Sequence, residues 1–136
     1  MALNTQIADA TVNAQANALA ALCNSGFIKL YDGTMPASAD TALSGNTLGA
    51  TLTFGATAFQ NAVSGTLVAN AVTPGTAVAS ITPTFARVFR SDGITVVMDL
   101  SCGSSGANIT IGAFTAGTSI SVASFTHDVR NATTGF

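Results

Sequence analysis

The chain has very little charge. Only 7% of its 136 residues are Asp, Glu, Lys or Arg, against roughly 25% in an average soluble domain. Glutamate and tryptophan are absent, and tyrosine and histidine occur once each. A surface so poor in charge does little to keep neighbouring molecules apart. We therefore expect a protein that is covered in use, as one part of an assembly.

The few cations are dispersed, at positions 29, 87, 90 and 130. Nucleic-acid binding requires several clustered cations, so we expect no nucleic-acid partner. The longest uninterrupted apolar run covers residues 18–23, far short of the ~20 residues that span a bilayer. Residues 1–11 also lack the basic and apolar segments of a signal peptide. These features predict no membrane association and synthesis in the cytoplasm of the producing cell.

Residues that carry chemistry are scarce and scattered. His127 cannot complete a zinc site with Cys23 and Cys102, because a structural site needs four ligands. Its neighbour Asp128 lies in the same strand-like stretch, where successive side chains point to opposite faces, so the pair is a poor hydrolase relay. The chain also has no phosphate-binding glycine loop with its lysine. We predict no catalytic residue, no cofactor and no metal, and therefore no enzyme.

The first regular segment is rich in alanine, the best helix former. Spacings of four and three predict a helix over residues 5–22 with one narrow stripe, made of Ile7, Thr11, Ala14, Ala18 and Leu22. Asn4 or Thr5 is the expected cap, and the Asn-Ser-Gly run at 24–26 signals the end. Since only Ile7 and Leu22 are large, we predict that residues 1–25 form a helical arm that contributes little to the core. Residues 26–136 would form the β domain.

From residue 26 onward the period changes to two and β-branched residues dominate. The candidate strands are 27–31, 48–54, 66–72, 77–82, 84–90, 94–100, 107–111 and 119–129. Short strands at this spacing, separated by Gly and Pro turns, predict an antiparallel β-sandwich or jelly roll. The fold class is therefore mainly β with an N-terminal α-helix.

The clearest unit is the segment FARVFRSDGITVVMDL at residues 85–100. A two-residue type I′ turn at Asp-Gly would pair Phe89 with Val96 and Arg87 with Met98. Arg87 would then be a cation among apolar neighbours. Two interpretations stay open: a side chain that extends to solvent at the sheet rim, or an ion pair across a subunit contact.

The segment GFIKLYDGTMP at residues 26–36 is distinctive, because it holds the single tyrosine and one of the four cations. Alternation predicts a strand followed by an Asp-Gly turn. A long polar connection, residues 32–47, follows it, and loops of this length are often functional. We interpret the segment as the first strand of the scaffold, with no site needed to explain it.

The run ALNTQIADATVNAQANALAALCNSGFIKLYDGTMPASADTA, continued by LGATLTFG, resembles a family of small virion-module structural proteins of tailed bacteriophages. The resemblance covers roughly the first half of the chain, and the later VFRSDGITVVMD fits more loosely. The family offers no catalytic residues to carry over. What the resemblance implies is a component of the virion, made in the host cytoplasm.

These observations together lead to the expectation of a capsid decoration (cement) protein that binds between capsomers as a homo-oligomer. A trimer is favoured over a dimer, and the major capsid protein or another virion protein is the expected partner. Interface candidates are Ile7, Leu22 and Arg87. The alternatives are a neck, collar or tail-fibre component and a carbohydrate-binding β-sandwich module. The latter normally needs exposed aromatic rings, of which the sequence offers few.

The two cysteines, Cys23 and Cys102, lie far apart in sequence. In a reducing cytosol they would be separate thiols. A disulfide formed after release into an oxidising medium is the alternative. It would close a long loop and contribute about 4–5 kcal/mol in the chain-entropy model.

Overall fold

The computed structural model describes residues 7–128. One helix is followed by ten strands. Their bounds are α1 Asp9–Cys23, β1 Phe27–Tyr31, β2 Leu48–Phe54, β3 Thr66–Val68, β4 Val72–Thr73, β5 Gly75–Thr76, β6 Phe85–Phe89, β7 Val96–Gly103, β8 Ile109–Thr110, β9 Ser119–Ile120 and β10 Ser124–Asp128.

Eight strands form one large curled sheet in the order β3-β10-β8-β7-β6-β1-β2-β4, and β5 pairs with β9 in a small second sheet. Every paired neighbour is antiparallel except β7 and β8, which run parallel. The prediction of a mainly β, sandwich-like fold with an N-terminal helix is confirmed. The parallel pair is a local departure from the purely antiparallel expectation.

The first two predicted strands, 27–31 and 48–54, coincide with β1 and β2. Lys29, Thr51 and Thr53 alternate with the buried residues Ile28, Leu30 and Leu52, whereas Phe27, Tyr31 and Gly49 depart from a strict alternation of apolar and polar residues. The prediction for 66–72 is wrong in part, because the chain leaves β10 after Val68 and re-pairs with β2 at Val72. No strand covers 77–82; only an isolated bridge joins Ile81 to Phe114 there.

The helix begins at Asp9, later than predicted, and Ala8 precedes it with no side-chain cap. The expected caps, residues 4 and 5, lie outside the described residues. The predicted stripe is wrong: Leu22 is 40% exposed, Ile7 is half-buried and the residues between them on that stripe are exposed. The helix instead buries the neighbouring face, which consists of Val12, Ala16, Ala20 and Cys23.

Three asparagines explain this rotation of the helix. Asn13, Asn17 and Asn24 lie on one side of it, and each side-chain oxygen accepts a hydrogen bond from the backbone of segment 58–65. The donors are the N–H groups of Gly65, Ala62 and Ala58, at 2.8, 2.8 and 2.9 Å respectively. These bonds satisfy backbone groups that the sheet leaves unpaired. The helix is therefore fastened to its own chain.

The core lies on the inner face of the central strands, where Ile28, Leu30 and Leu52 are fully buried. Three phenylalanines close one end of it: Phe54, Phe59 and Phe125 have ring centroids 5.2 to 5.7 Å apart. The buried residues Ala16, Ala20 and Cys23 of α1 belong to the same cluster. This packing does not favour the interpretation of residues 1–25 as an arm that contributes little to the core.

The hairpin of β6 and β7 differs in register from the prediction. Phe89 does pair with Val96, but a β-bulge follows and shifts every later pair by one residue. Arg87 therefore lies opposite Asp99 and not opposite Met98.

The connecting turn also differs. A type I′ turn needs positive φ at both central residues, whereas Gly93 has φ 72° and Asp92 is not among the described residues with positive φ. The Asp92 carboxylate instead accepts hydrogen bonds from the N–H groups of Ile94 and Thr95, both at 2.8 Å. This side-chain turn replaces the tight backbone turn.

Candidate functional site

The polar residues of the central strands share one surface, which we name the outer face. Since side chains alternate along a strand, it lies opposite the core residues Ile28 and Leu30. Its middle row runs in register across β2, β1, β6 and β7, and its members are Thr51, Lys29, Arg87 and Asp99. The outer face also carries aromatic residues, namely Phe27, Tyr31, Phe85 and Phe89.

Arg87 and Asp99 form a bidentate ion pair in this row. Arg87 Nε is 2.7 Å from Asp99 Oδ1, and Nη2 is 2.9 Å from Oδ2. The two side chains are only 6% and 7% exposed, so the rim interpretation of Arg87 is wrong. The hydrogen bond to Asp99 raises the pKa of Arg87 above its ordinary value. The other interpretation was an ion pair across a subunit contact, but Arg87 forms its ion pair with Asp99 of the same chain.

The long connection, residues 32–47, packs beside this ion pair. Asn46 Nδ2 donates to the carbonyls of Asp32 and Thr34, at 2.8 and 3.2 Å. The Thr84 hydroxyl donates to the Gly33 carbonyl at 2.6 Å. The connection is thus ordered by hydrogen bonds. A groove of about 410 Å³ separates its residues 35–39 from residues 97–99 of β7.

Tyr31 ends β1 under this connection and is 8% exposed. Its ring stacks on Phe85 with centroids 5.5 Å apart, and burial raises the pKa of its hydroxyl. The GFIKLYDGTMP segment therefore provides outer-face residues, and the turn after it anchors the connection. The interpretation as the first scaffold strand agrees with this placement.

Lys29 lies next to Arg87 in the β1–β6 ladder and is half-buried. Its Nζ lies 4.8 Å from the centroid of the Phe89 ring, a cation–π distance. Among residues 7–128 it has no salt-bridge partner, since the Arg87–Asp99 pair is the ion pair found there. A groove of about 390 Å³ opens above it, lined by Phe27, Lys29, Thr51, Ser91, Asp92 and Gly93. We name this the Lys29 groove.

Asp92 supplies the one carboxylate of the Lys29 groove, and its oxygens are already engaged. Besides the two backbone N–H groups, the Thr95 hydroxyl donates to it at 2.6 Å. These bonds, led by the one from Thr95, lower the pKa of Asp92 to about 2. Asp92 is therefore ionised and holds the turn.

The cysteines and the histidine occupy separate places. Cys23 and Cys102 are both free thiols, and burial raises the pKa of each to about 12, so both are protonated at neutral pH. β8 lies between the strands that carry Cys102 and His127. Burial lowers the pKa of His127.

The described part of the chain contains no group of three or more His, Cys, Asp or Glu that could hold a metal ion. Its helix is also too short and too polar to cross a membrane.

The interface candidates are not brought together. Ile7 precedes α1 and Leu22 lies in its last turn, whereas Arg87 is buried at the centre of the sheet. The sequence analysis missed Asp99 as the partner of Arg87 because the bulge is not visible in the pattern. The strand alternation did place Lys29 beside Phe27 and Tyr31 on one face.

No protein-family model, curated protein or solved structure matches this chain.

Proposed function

We propose that this protein is a structural component of a tailed-bacteriophage virion, a capsid decoration protein that stabilises the head shell. The observation that carries the proposal is the outer face around Lys29, where aromatic and threonine residues are half-buried although no segment of residues 7–128 closes the groove above them. Such a face is suited to burial against another protein. The low charge of the chain supports the same conclusion.

Assembly on a shell provides the energy that a single shallow surface lacks. Each contact is weak, but many copies bound to a repeating lattice gain affinity through multivalency. A closed trimer repeats one head-to-tail contact between two complementary patches on every subunit, and a homotrimer bound to the major capsid protein is the proposed form. The partner surface would cover part of the outer face.

Immuno-electron microscopy tests this proposal on virions of the phage that encodes the chain. Antibodies raised against the recombinant protein should label the head at regular spacing. Label confined to the neck, collar or tail would support the alternative virion position. Absence of label from purified virions, with the antibody shown to recognise the native protein, would contradict the virion proposal.

A carbohydrate-binding role is less well supported by the structure. Sugar rings stack on exposed aromatic faces, and the single tyrosine is 8% exposed and covered by Phe85. The phenylalanines of the core cluster, Phe54, Phe59 and Phe125, are 2 to 3% exposed. None of these rings offers a free face to a sugar, and the outer-face rings of Phe27 and Phe89 are themselves half-buried.

A further inference from the structure

We infer that the Lys29 groove binds a carboxylate side chain that a partner protein presents next to an apolar residue. The inference rests on the proposed assembly role for the existence of such a partner. The chemistry of the site comes from the groove itself.

The charge balance of the middle row leaves one positive charge. Lys29 and Arg87 are direct neighbours across β1 and β6, and like charges in such positions repel. Asp99 neutralises Arg87 through two hydrogen bonds, and nothing comparable faces Lys29. A half-buried ammonium group beside an aromatic ring gains most from an added anion. The middle row therefore carries a net charge of +1, which a single negative charge would balance.

The groove walls specify more than charge. Phe27 provides an apolar wall and Thr51 a hydroxyl, while residues 91–93 form the opposite wall. The carboxylate of Asp92 is close by and is ionised above a pKa of about 2, which disfavours a dianion such as phosphate. A monoanionic carboxylate with an apolar neighbour fits these walls.

The shape of the groove favours a protein over a free metabolite. Its volume of about 390 Å³ is near the lower end of the range for small-molecule pockets, roughly 300–1,000 Å³. Ser91 and Asp92 are exposed, so one wall is a surface turn that cannot enclose a ligand. An Asp or Glu side chain entering from above needs no enclosure.

Two blocked tripeptides test the inference by nuclear magnetic resonance with ¹⁵N-labelled full-length protein. One is phenylalanyl-aspartyl-phenylalanine amide, and its matched control replaces the aspartyl residue with asparaginyl. The aspartyl peptide should shift the amide signals of Lys29, Thr51 and Gly93 saturably. The asparaginyl peptide should bind about two- to fivefold more weakly, the range of a partly exposed ion pair.

Lys29→Met should weaken binding of the aspartyl peptide by a similar factor, while Lys29→Arg retains it. Arg90→Met removes a positive charge from the same hairpin outside the groove and should change affinity by less than about twofold, as expected of a screened charge. The amide spectrum of each variant verifies its fold.

Equal binding of the two peptides, no saturable shift, or full binding by Lys29→Met would overturn the inference. These outcomes are distinct from failure of the proposed function. Peptide binding without virion labelling refutes only the virion role, and virion labelling without peptide binding refutes only the groove.

Discussion

Arg87 and Asp99 face each other across β6 and β7 and share two hydrogen bonds of 2.7 and 2.9 Å in a nearly solvent-free position. The cost of removing two charges from water largely offsets the attraction within such a pair. The pair therefore fixes the register of the hairpin more than it stabilises the fold. Its presence also means that one partner alone cannot be lost without penalty.

Arg87→Met should lower the free energy of unfolding by about 3 kcal/mol, because it leaves the Asp99 carboxylate buried without its partner. The double variant Arg87→Met/Asp99→Leu should recover most of that loss, since no buried charge remains. Urea unfolding followed by circular dichroism measures both. If the double variant were as unstable as the single one, the penalty would come from packing and not from the orphaned charge.

The sequence predicts the β6–β7 register correctly at Phe89 and Val96, before the bulge, and wrongly at every pair beyond it. The pattern of residues 27–31 and 48–54 predicts the bounds of β1 and β2 to the residue. The bulge in the β6–β7 pair depends on the side-chain turn made by Asp92 and on the ion pair itself. Both are interactions between residues that a two-residue period does not distinguish. The register of Arg87 was therefore beyond what the pattern determines.

The buried face of α1 is a second feature that the local sequence pattern does not determine. Its composition and its stop signal predict its existence and an end at Leu22, one residue before the observed end at Cys23. Two stripes with nearly the same spacing compete for burial, and each contains two alanines. The choice between them depends on Asn13, Asn17 and Asn24, whose partners lie 34 to 52 residues away in sequence. Local periodicity carries no information about such distant partners.

Asn17→Ala should lower the free energy of unfolding by about 1 kcal/mol, because the Ala62 N–H loses its acceptor. Hydrogen exchange of that N–H should accelerate more than exchange within β1. Gln15→Ala is the control, since Gln15 lies on the exposed side of the same helix; its gain in helix propensity is smaller than that of Asn17→Ala. Equal effects of the two substitutions would show that the asparagine bonds contribute nothing to docking.

Asp92 should titrate with a pKa of about 2 in the folded protein, which carboxyl ¹³C resonances measure directly. Because this pKa is below that of the unfolded chain, near ~3.9, the group stabilises the fold above about pH 4. That contribution is lost as the pH falls from about 4 towards 2. Thr95→Val should raise the pKa of Asp92, whereas Ser91→Ala should leave it unchanged. An unshifted pKa in Thr95→Val would contradict the assigned hydrogen bond.

Cys23 and Cys102 should both be free in protein purified without reductant, and both should resist alkylation at pH 8. The physical reason is burial, which keeps each thiol protonated at that pH; it also limits access of the reagent, more at the buried Cys23 than at the half-buried Cys102. Mass spectrometry should show two added labels in denaturant and none or few before unfolding. An intact mass that lacks two hydrogens would instead establish the disulfide that the sequence left open.

A chain that begins at Gly26 tests whether residues 1–25 are an arm or part of the fold. If residues 1–25 are an arm, the truncated chain should keep a folded β domain and lose oligomerisation or particle binding. The contacts of α1 predict a different result. Ala16, Ala20 and Cys23 would leave the core, and segment 58–65 would lose acceptors for three N–H groups.

We therefore expect this truncated chain to be unfolded or strongly destabilised. Three lost hydrogen bonds alone are worth about 3 kcal/mol, against a total stability of roughly 5–15 kcal/mol. Circular dichroism and urea titration measure the effect. A chain that begins at Ile7 is the control, because it retains the whole of α1. Adding a synthetic peptide of residues 7–25 should restore the circular dichroism signal if docking is the missing contribution. A truncated chain with parent-like stability would show that the helix is dispensable for the fold. The role of the helix would then lie in assembly, and sedimentation velocity of the truncated and parent chains would detect the difference in oligomeric state.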